Sequence, residues 1–223
     1  MDWKKGLLCL LGFFCCMGIE ARDDFGSLLS ASVSKKIIKG LHISFEEEFR
    51  TRSDFSEIER FSHDLELSYK PLNFLKMGGA YNLINYNHDK KGWEIRHRYY
   101  FYATGSLNAG RFTLSLRERF QSTKRQGVKE TATRANPKLY LRSRLKADYN
   151  IRKSKFTPYA SVELFNTLNN PVKNDINQWR STAGVEYKLN KKSALELYYR
   201  YTNYYDDEDI DRHLFCIGYA FKF

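Results

Sequence analysis

The sequence is short of most of what soluble catalytic folds rely on. Its 223 residues include only 4 Cys, 4 Pro, 13 Gly and 5 His. Three of the cysteines, Cys9, Cys15 and Cys16, lie near the start, which leaves Cys216 alone in the body of the chain. That part can build neither an internal disulfide nor a cysteine metal site, and Cys216 reads as a small apolar filler in a strand. No stretch rich in Pro, Gly or Ser divides the chain, so one domain is expected. After residue 19 no long apolar run and no helical periodicity appears, which argues against membrane-spanning helices and helix bundles. No glycine-rich phosphate loop and no nucleophile elbow is present. His42, His63, His88, His97 and His213 have no metal-ligand spacing, so neither cofactor nor metal is expected.

The first residues have a different character. MDWKKGLLCLLGFFCCMGIEA opens with Lys4 and Lys5, continues as an apolar run to Ile19, and reaches the small Ala21 just before Arg22-Asp23-Asp24. This is the layout of a secretory signal peptide over residues 1–21, with a run too short for a transmembrane anchor of about 20 residues. Residues 22–223 are then the mature domain. Lipidation at Cys15 or Cys16 is a weaker reading, because Phe13 and Phe14 stand where small residues precede a lipidated cysteine.

What is abundant is aromatic: 16 Tyr and 16 Phe, a bias toward strands and interfaces. Alternation at period two recurs throughout. In PKLYLRSRLKADYNI, Leu139, Leu141, Leu145, Ala147 and Tyr149 share one face, while Lys138, Arg142, Arg144 and Lys146 share the other. Such segments fall near residues 26–35, 40–51, 61–70, 74–86, 93–105, 111–123, 137–151, 156–169, 177–189, 193–205 and 210–223. Tight turns alternate with longer polar connections, and the segments match the roughly 9 to 11 residues of a tilted membrane-crossing strand. The expected fold is all-β: a transmembrane antiparallel up-and-down β-barrel in the cell outer membrane. Eleven segments conflict with the even number such barrels normally have, so about ten strands are expected, with twelve as the alternative.

The tail FCIGYAFKF sends Phe215, Ile217, Tyr219, Phe221 and Phe223 to one face, and Cys216, Gly218 and Ala220 to the other. The spacing of Gly218, Phe221 and Phe223 resembles the C-terminal signal read by the barrel-assembly machinery, with Cys216 where a polar residue is usual. EEEFRTR, IRHRYYF, LRSRLK, ELFN and WRSTAGVEYKL, together with this tail, resemble an uncharacterised family of Bacteroidetes-type outer-membrane β-barrel proteins, a domain of unknown function. The resemblance implies a barrel and an envelope address, and supplies no activity.

A net charge of +11 and a pI near 9.4 raise nucleic acid as a partner. Alternation instead sends most of the charge into the lumen, so no nucleic acid is expected, and the partners are outer-membrane lipid and lipopolysaccharide. The inward set holds Glu46, Glu48, Arg50, Asp64 and Glu66 on one wall and Arg96, Arg98, Arg117, Arg119, Arg142 and Arg144 on another. Glu163, Arg180, Glu186, Arg200 and Arg212 complete the network. Two readings stay open: a salt-bridged filling of the barrel, or a charged eyelet that selects a small polar or anionic solute. Glu47 and Glu118 fall on the lipid face, each marking a bulge, an interface or a register error.

No enzyme is expected. The alternative is a lipid-modifying barrel enzyme built on His42 and Ser44, two apart on one face, but that pair faces the lumen beside a tight turn. His97 faces outward beside Ile95 and Tyr99, neither a nucleophile. A secreted β protein that binds polyanions is the remaining alternative.

Overall fold

The computed structural model describes residues 23–88, 91–205 and 210–223. The signal-peptide reading of residues 1–21 lies outside them. The described chain is a closed barrel of eleven strands, each bonded to its sequence neighbours: β1 (Asp24–Ile38), β2 (Leu41–Arg52), β3 (Glu57–Leu72), β4 (Leu75–His88), β5 (Gly92–Ala109), β6 (Phe112–Arg125), β7 (Lys138–Tyr149), β8 (Phe156–Thr167), β9 (Ile176–Lys188), β10 (Ser193–Tyr204) and β11 (Arg212–Lys222).

All eleven sequence segments are strands, so the expectation of about ten, or twelve, is corrected. The even-number rule assumes that the first and last strands close the barrel in antiparallel fashion. Here β1 and β11 run parallel, in register from Asp24 against Arg212 to Ser34 against Lys222, while β1 pairs antiparallel with β2. An odd count therefore closes without a gap, and β1 starts at the end opposite to that where β11 finishes.

β1, β3 and β5 run further than the segments read from sequence, whereas β7, β8, β10 and β11 are one to three residues shorter than theirs. Arg52 and Glu57 are already paired, so only 53–56 connect β2 to β3, and only 89–91 connect β4 to β5. The long connections on that side are 126–137, 168–175 and 205–211. At the opposite end the β1–β2, β3–β4 and β5–β6 links are two-residue turns.

The β2–β3 connection locks the top of the seam. Ser53, Asp54 and Phe55 have φ of 52°, 53° and 67°, a left-handed run costly for residues with a Cβ. The Phe55 amide donates to the Phe25 carbonyl at 3.2 Å, and the Ser27 amide donates to Thr51 Oγ1 at 2.8 Å. A Cβ on Gly26 would lie 2.3 Å from the Thr51 carbonyl oxygen, so only glycine allows this approach.

Burial is inverted relative to a soluble domain. Leu67, Phe101, Leu107, Leu116 and Leu145 are all at least half exposed on the outer wall, which no other layer of the described residues covers. Buried residues include Arg50, Glu59, Arg142 and Glu163. A small cluster of buried apolar side chains lies at the seam, where Leu28, Leu214 and Cys216 pack together against Tyr198.

Candidate functional site

Two chambers, each far larger than a water molecule, lie inside the barrel. The wider, about 1380 Å³, opens toward the long connections; the other, about 480 Å³, lies toward the short turns. All fourteen residues read from sequence as the lumen network line one or both. Among the described residues only five side chains border both: Arg50, Arg60, Arg98, Arg142 and Arg180. Five guanidiniums, supplied by β2, β3, β5, β7 and β9, thus form the septum between the chambers.

The period-two alternation of each strand places these groups, and carboxylates hold some of them. Glu163 sits at the centre of one cluster. Arg117 Nη2 and Arg142 Nη2 each donate to it at 2.7 Å, and Arg180 Nη1 lies 3.7 Å away. Glu48 accepts from Arg60 at 2.7 Å and from Arg50 at 3.2 Å. Glu59 accepts from Arg212 at 2.5 Å and lies 3.6 Å from Arg50.

Glu59 and Arg60 were not singled out from sequence. Arg50 pairs with Arg60 but the next residue, Thr51, pairs with Ile58, so Glu59 is the extra residue of a β-bulge. The bulge turns consecutive residues inward and buries Glu59 to 3% exposure between two arginines. Strict alternation would have sent Glu59 to the outer wall. Phe165, also missed, projects inward at 4% exposure with the Arg142 and Arg180 guanidinium carbons 4.2 and 4.9 Å from its ring centre. Its signal was its parity with Glu163, on the same face of β8.

The acidic wall behaves differently from the sequence expectation. Glu46, Asp64 and Glu66 line only the narrower chamber and make no ion pair with the arginines of β5, β6 or β7. Asp64 accepts from Asn82 at 2.8 Å and Tyr100 at 2.9 Å, and Glu66 from Tyr102 at 2.7 Å and Lys76 at 3.3 Å. The tyrosines intervene because β4 offers small residues beneath them. A Cβ on Gly78 would lie 2.7 Å from the Tyr102 ring. Arg119 stacks on Tyr100, 3.3 Å from ring centre, and so reaches Asp64 only through the phenol.

Arg98, Arg119, Arg144 and Arg200 have no ion-pair partner among the described residues, and Nε of Arg119, Arg144 and Arg200 lacks any hydrogen bond. Basic side chains outnumber carboxylates around both chambers. The guanidiniums of Arg119 and Arg200 lie over the Tyr100 and Tyr198 rings, 3.3 and 5.2 Å from ring centre, and planar cations without a paired carboxylate suit carboxylate, phosphate or other oxyanions.

The remaining sequence readings are located as follows. Arg96 stacks on Tyr86 at 3.5 Å and pairs with Glu94. Gly218 faces the lumen between Ser30 and Glu196, while Phe223 is exposed and its amide donates to the Ser34 carbonyl at 2.9 Å. Glu47 and Glu118 do face outward, without a register error. Each has a polar partner on the adjacent strand: Glu47 pairs with His63 at 2.5 Å, and Glu118 accepts from Ser143 Oγ at 2.7 Å. His97 bonds to the Tyr81 hydroxyl at 2.8 Å. No hydrogen bond joins His42 to Ser44.

Comparison with known proteins adds a family and a fold. A family model described as protein of unknown function (DUF2490) matches residues 25–213. A solved NanC porin structure superimposes with a TM-score of 0.56 at 13% identity, covering 90% of this chain and 99% of that one. No curated protein sequence matches.

Proposed function

The chain belongs to the DUF2490 family, whose description carries no activity, and we propose that it is an outer-membrane barrel with a narrow lumen selective for small anions. The porin-like fold and the bare apolar outer wall support the membrane assignment, since soluble monomers rarely expose apolar patches beyond a few hundred Å². With the short turns toward the periplasm, the long connections and the wider chamber face outward.

The observation that carries the reading is the arginine septum. A solute moving between the chambers meets Arg50, Arg60, Arg98, Arg142 and Arg180, and Arg98 has no carboxylate partner among the described residues. Fixed cations at a constriction attract anions and repel cations. The barrel is non-enzymatic in this reading, acting on solutes by selection alone.

Planar-bilayer recording tests it. The parent is expected to conduct, with a reversal potential in a KCl gradient that favours chloride, and Arg98→Gln is expected to weaken that preference. Silence from the parent and from septum variants would favour a second reading, a structural barrel filled by its own ion pairs, for which the near-complete burial of Arg50, Glu59, Arg142 and Glu163 speaks.

A further inference from the structure

The positive excess of the chain is not confined to the lumen. The five short connections with their flanks, residues 35–41, 69–75, 109–112, 149–156 and 187–194, contain eleven Lys or Arg and no Asp or Glu. That number equals the net charge of the whole chain, +11. All eleven are exposed, and among the described residues none has an ion-pair partner. One rim of the barrel is therefore a ring of unneutralised cations.

The ring lies directly against aromatic pairs on the outer wall. Phe112 and Tyr149 pack with centroids 4.9 Å apart, and Arg111 Nη1 donates to the Tyr149 hydroxyl at 3.3 Å. Phe156 and Tyr187 pack at 4.6 Å, with the Lys155 ammonium 5.9 Å from the Tyr187 centroid. Phe221 and Phe223 pack at 5.0 Å, with exposed Lys222 between them in sequence. Aromatic rings of this kind sit at headgroup level in a bilayer, and cations just beyond them reach the phosphates.

We propose that the short-turn rim binds anionic phospholipid through its headgroup phosphate, holding a shell of such lipid in the leaflet on that side. This rests on the membrane assignment above but not on whether the lumen conducts. A soluble acidic partner would need the cations alone. The rings coupled to Arg111 and Lys155 favour a lipid, because they bring apolar and cationic surface to one level.

The test uses the folded full-length chain in neutral detergent, mixed with equal amounts of dioleoylphosphatidylglycerol and dioleoylphosphatidylcholine. After repurification, mass spectrometry counts the lipid retained. The parent should retain phosphatidylglycerol over phosphatidylcholine by roughly tenfold, since each cation near the surface contributes measurably. Arg152→Gln, Lys153→Gln, Lys155→Gln, Lys191→Gln and Lys192→Gln combined should bring the ratio close to one, while Arg98→Gln in the septum should leave it unchanged. Should the fivefold variant lose the heat-modifiable gel migration of a folded barrel, Lys191→Gln with Lys192→Gln should still lower the ratio severalfold. A parent ratio near one, a ratio insensitive to the rim substitutions, or equal loss in Arg98→Gln would overturn the proposal. So would displacement of the bound lipid by soluble polyglutamate, which would assign the rim to an acidic macromolecule. Absence of heat-modifiable migration in the parent would instead count against the membrane assignment itself.

Discussion

Glu163→Gln removes one charge from the most heavily loaded carboxylate in the barrel and almost no volume. Two guanidiniums donate to Glu163 at 2.7 Å and a third lies 3.7 Å away, while its own side chain is 5% exposed. Gln keeps an acceptor for one arginine but leaves Arg117, Arg142 and Arg180 to repel one another with no counter-charge between them. Removing one partner of a buried ion pair costs about 3 to 5 kcal/mol. The lower figure suits this site, because Glu163 borders the smaller chamber rather than a sealed core, so about 3 kcal/mol is expected. With a urea slope near 2 kcal/mol per molar, the unfolding midpoint should fall by about 1.5 M. The assay is the fraction of chain that keeps its unheated gel mobility across a urea series in detergent. Adding Arg142→Gln should recover part of the loss, with a coupling of about 1 kcal/mol or more. A midpoint shift below about 0.3 M, or strictly additive losses, would show that the three arginines do not depend on this carboxylate.

Other outcomes follow from the same geometry. Gly26→Ala places a methyl 2.3 Å from the Thr51 carbonyl oxygen and should destabilise the barrel by about 1 to 3 kcal/mol, read as a lower urea midpoint, whereas Gly105→Ala, in open space, should be close to neutral. Glu59→Gln should loosen Arg50 and Arg212 together and raise single-channel current noise, and an unchanged trace would mean that the bulge carboxylate does not hold the septum. Cys216, 3% exposed, should resist maleimide labelling in the folded barrel and react fully in denaturant; rapid labelling of folded protein would contradict its packing against Leu28 and Leu214.

The parity of side chains was legible in sequence because a strand facing two different solvents must alternate. Leu139, Leu141 and Leu145 cannot share a wall with Arg142 and Arg144, and the structure keeps them apart. What alternation could not supply were its interruptions. The bulge that turns Glu59 inward depends on how β2 and β3 meet, and nothing within EIERF announces it. Partner choice was equally hidden. Asp64 and Arg119 are both on inward faces, yet a tyrosine from β5 stands between them, since only the assembled wall sets Tyr100 over the space beside Ala80 and Asn82. The count of eleven is visible in the sequence too, but the parallel closure that permits an odd number is not, because it depends on how β1 meets β11.

That closure also governs how the chain could be rewired. In an even barrel the two ends of the sheet emerge together, and a short linker can join them so that new ends may be cut elsewhere. Here the start of β1 sits beside the start of β11, and the Phe223 amide is bonded to Ser34, at the far end of β1. A linker from Phe223 back to Asp24 must travel the length of eleven paired positions, about 36 Å at 3.3 Å per residue, through a lumen already crossed by five arginines. Circular permutants with short joints should therefore fail, whatever loop is opened. Ten of the eleven pairings join neighbours in the chain, and only the union of Asp24 with Arg212 spans nearly all of it, so the barrel behaves as a ribbon of hairpins with a single late fastening.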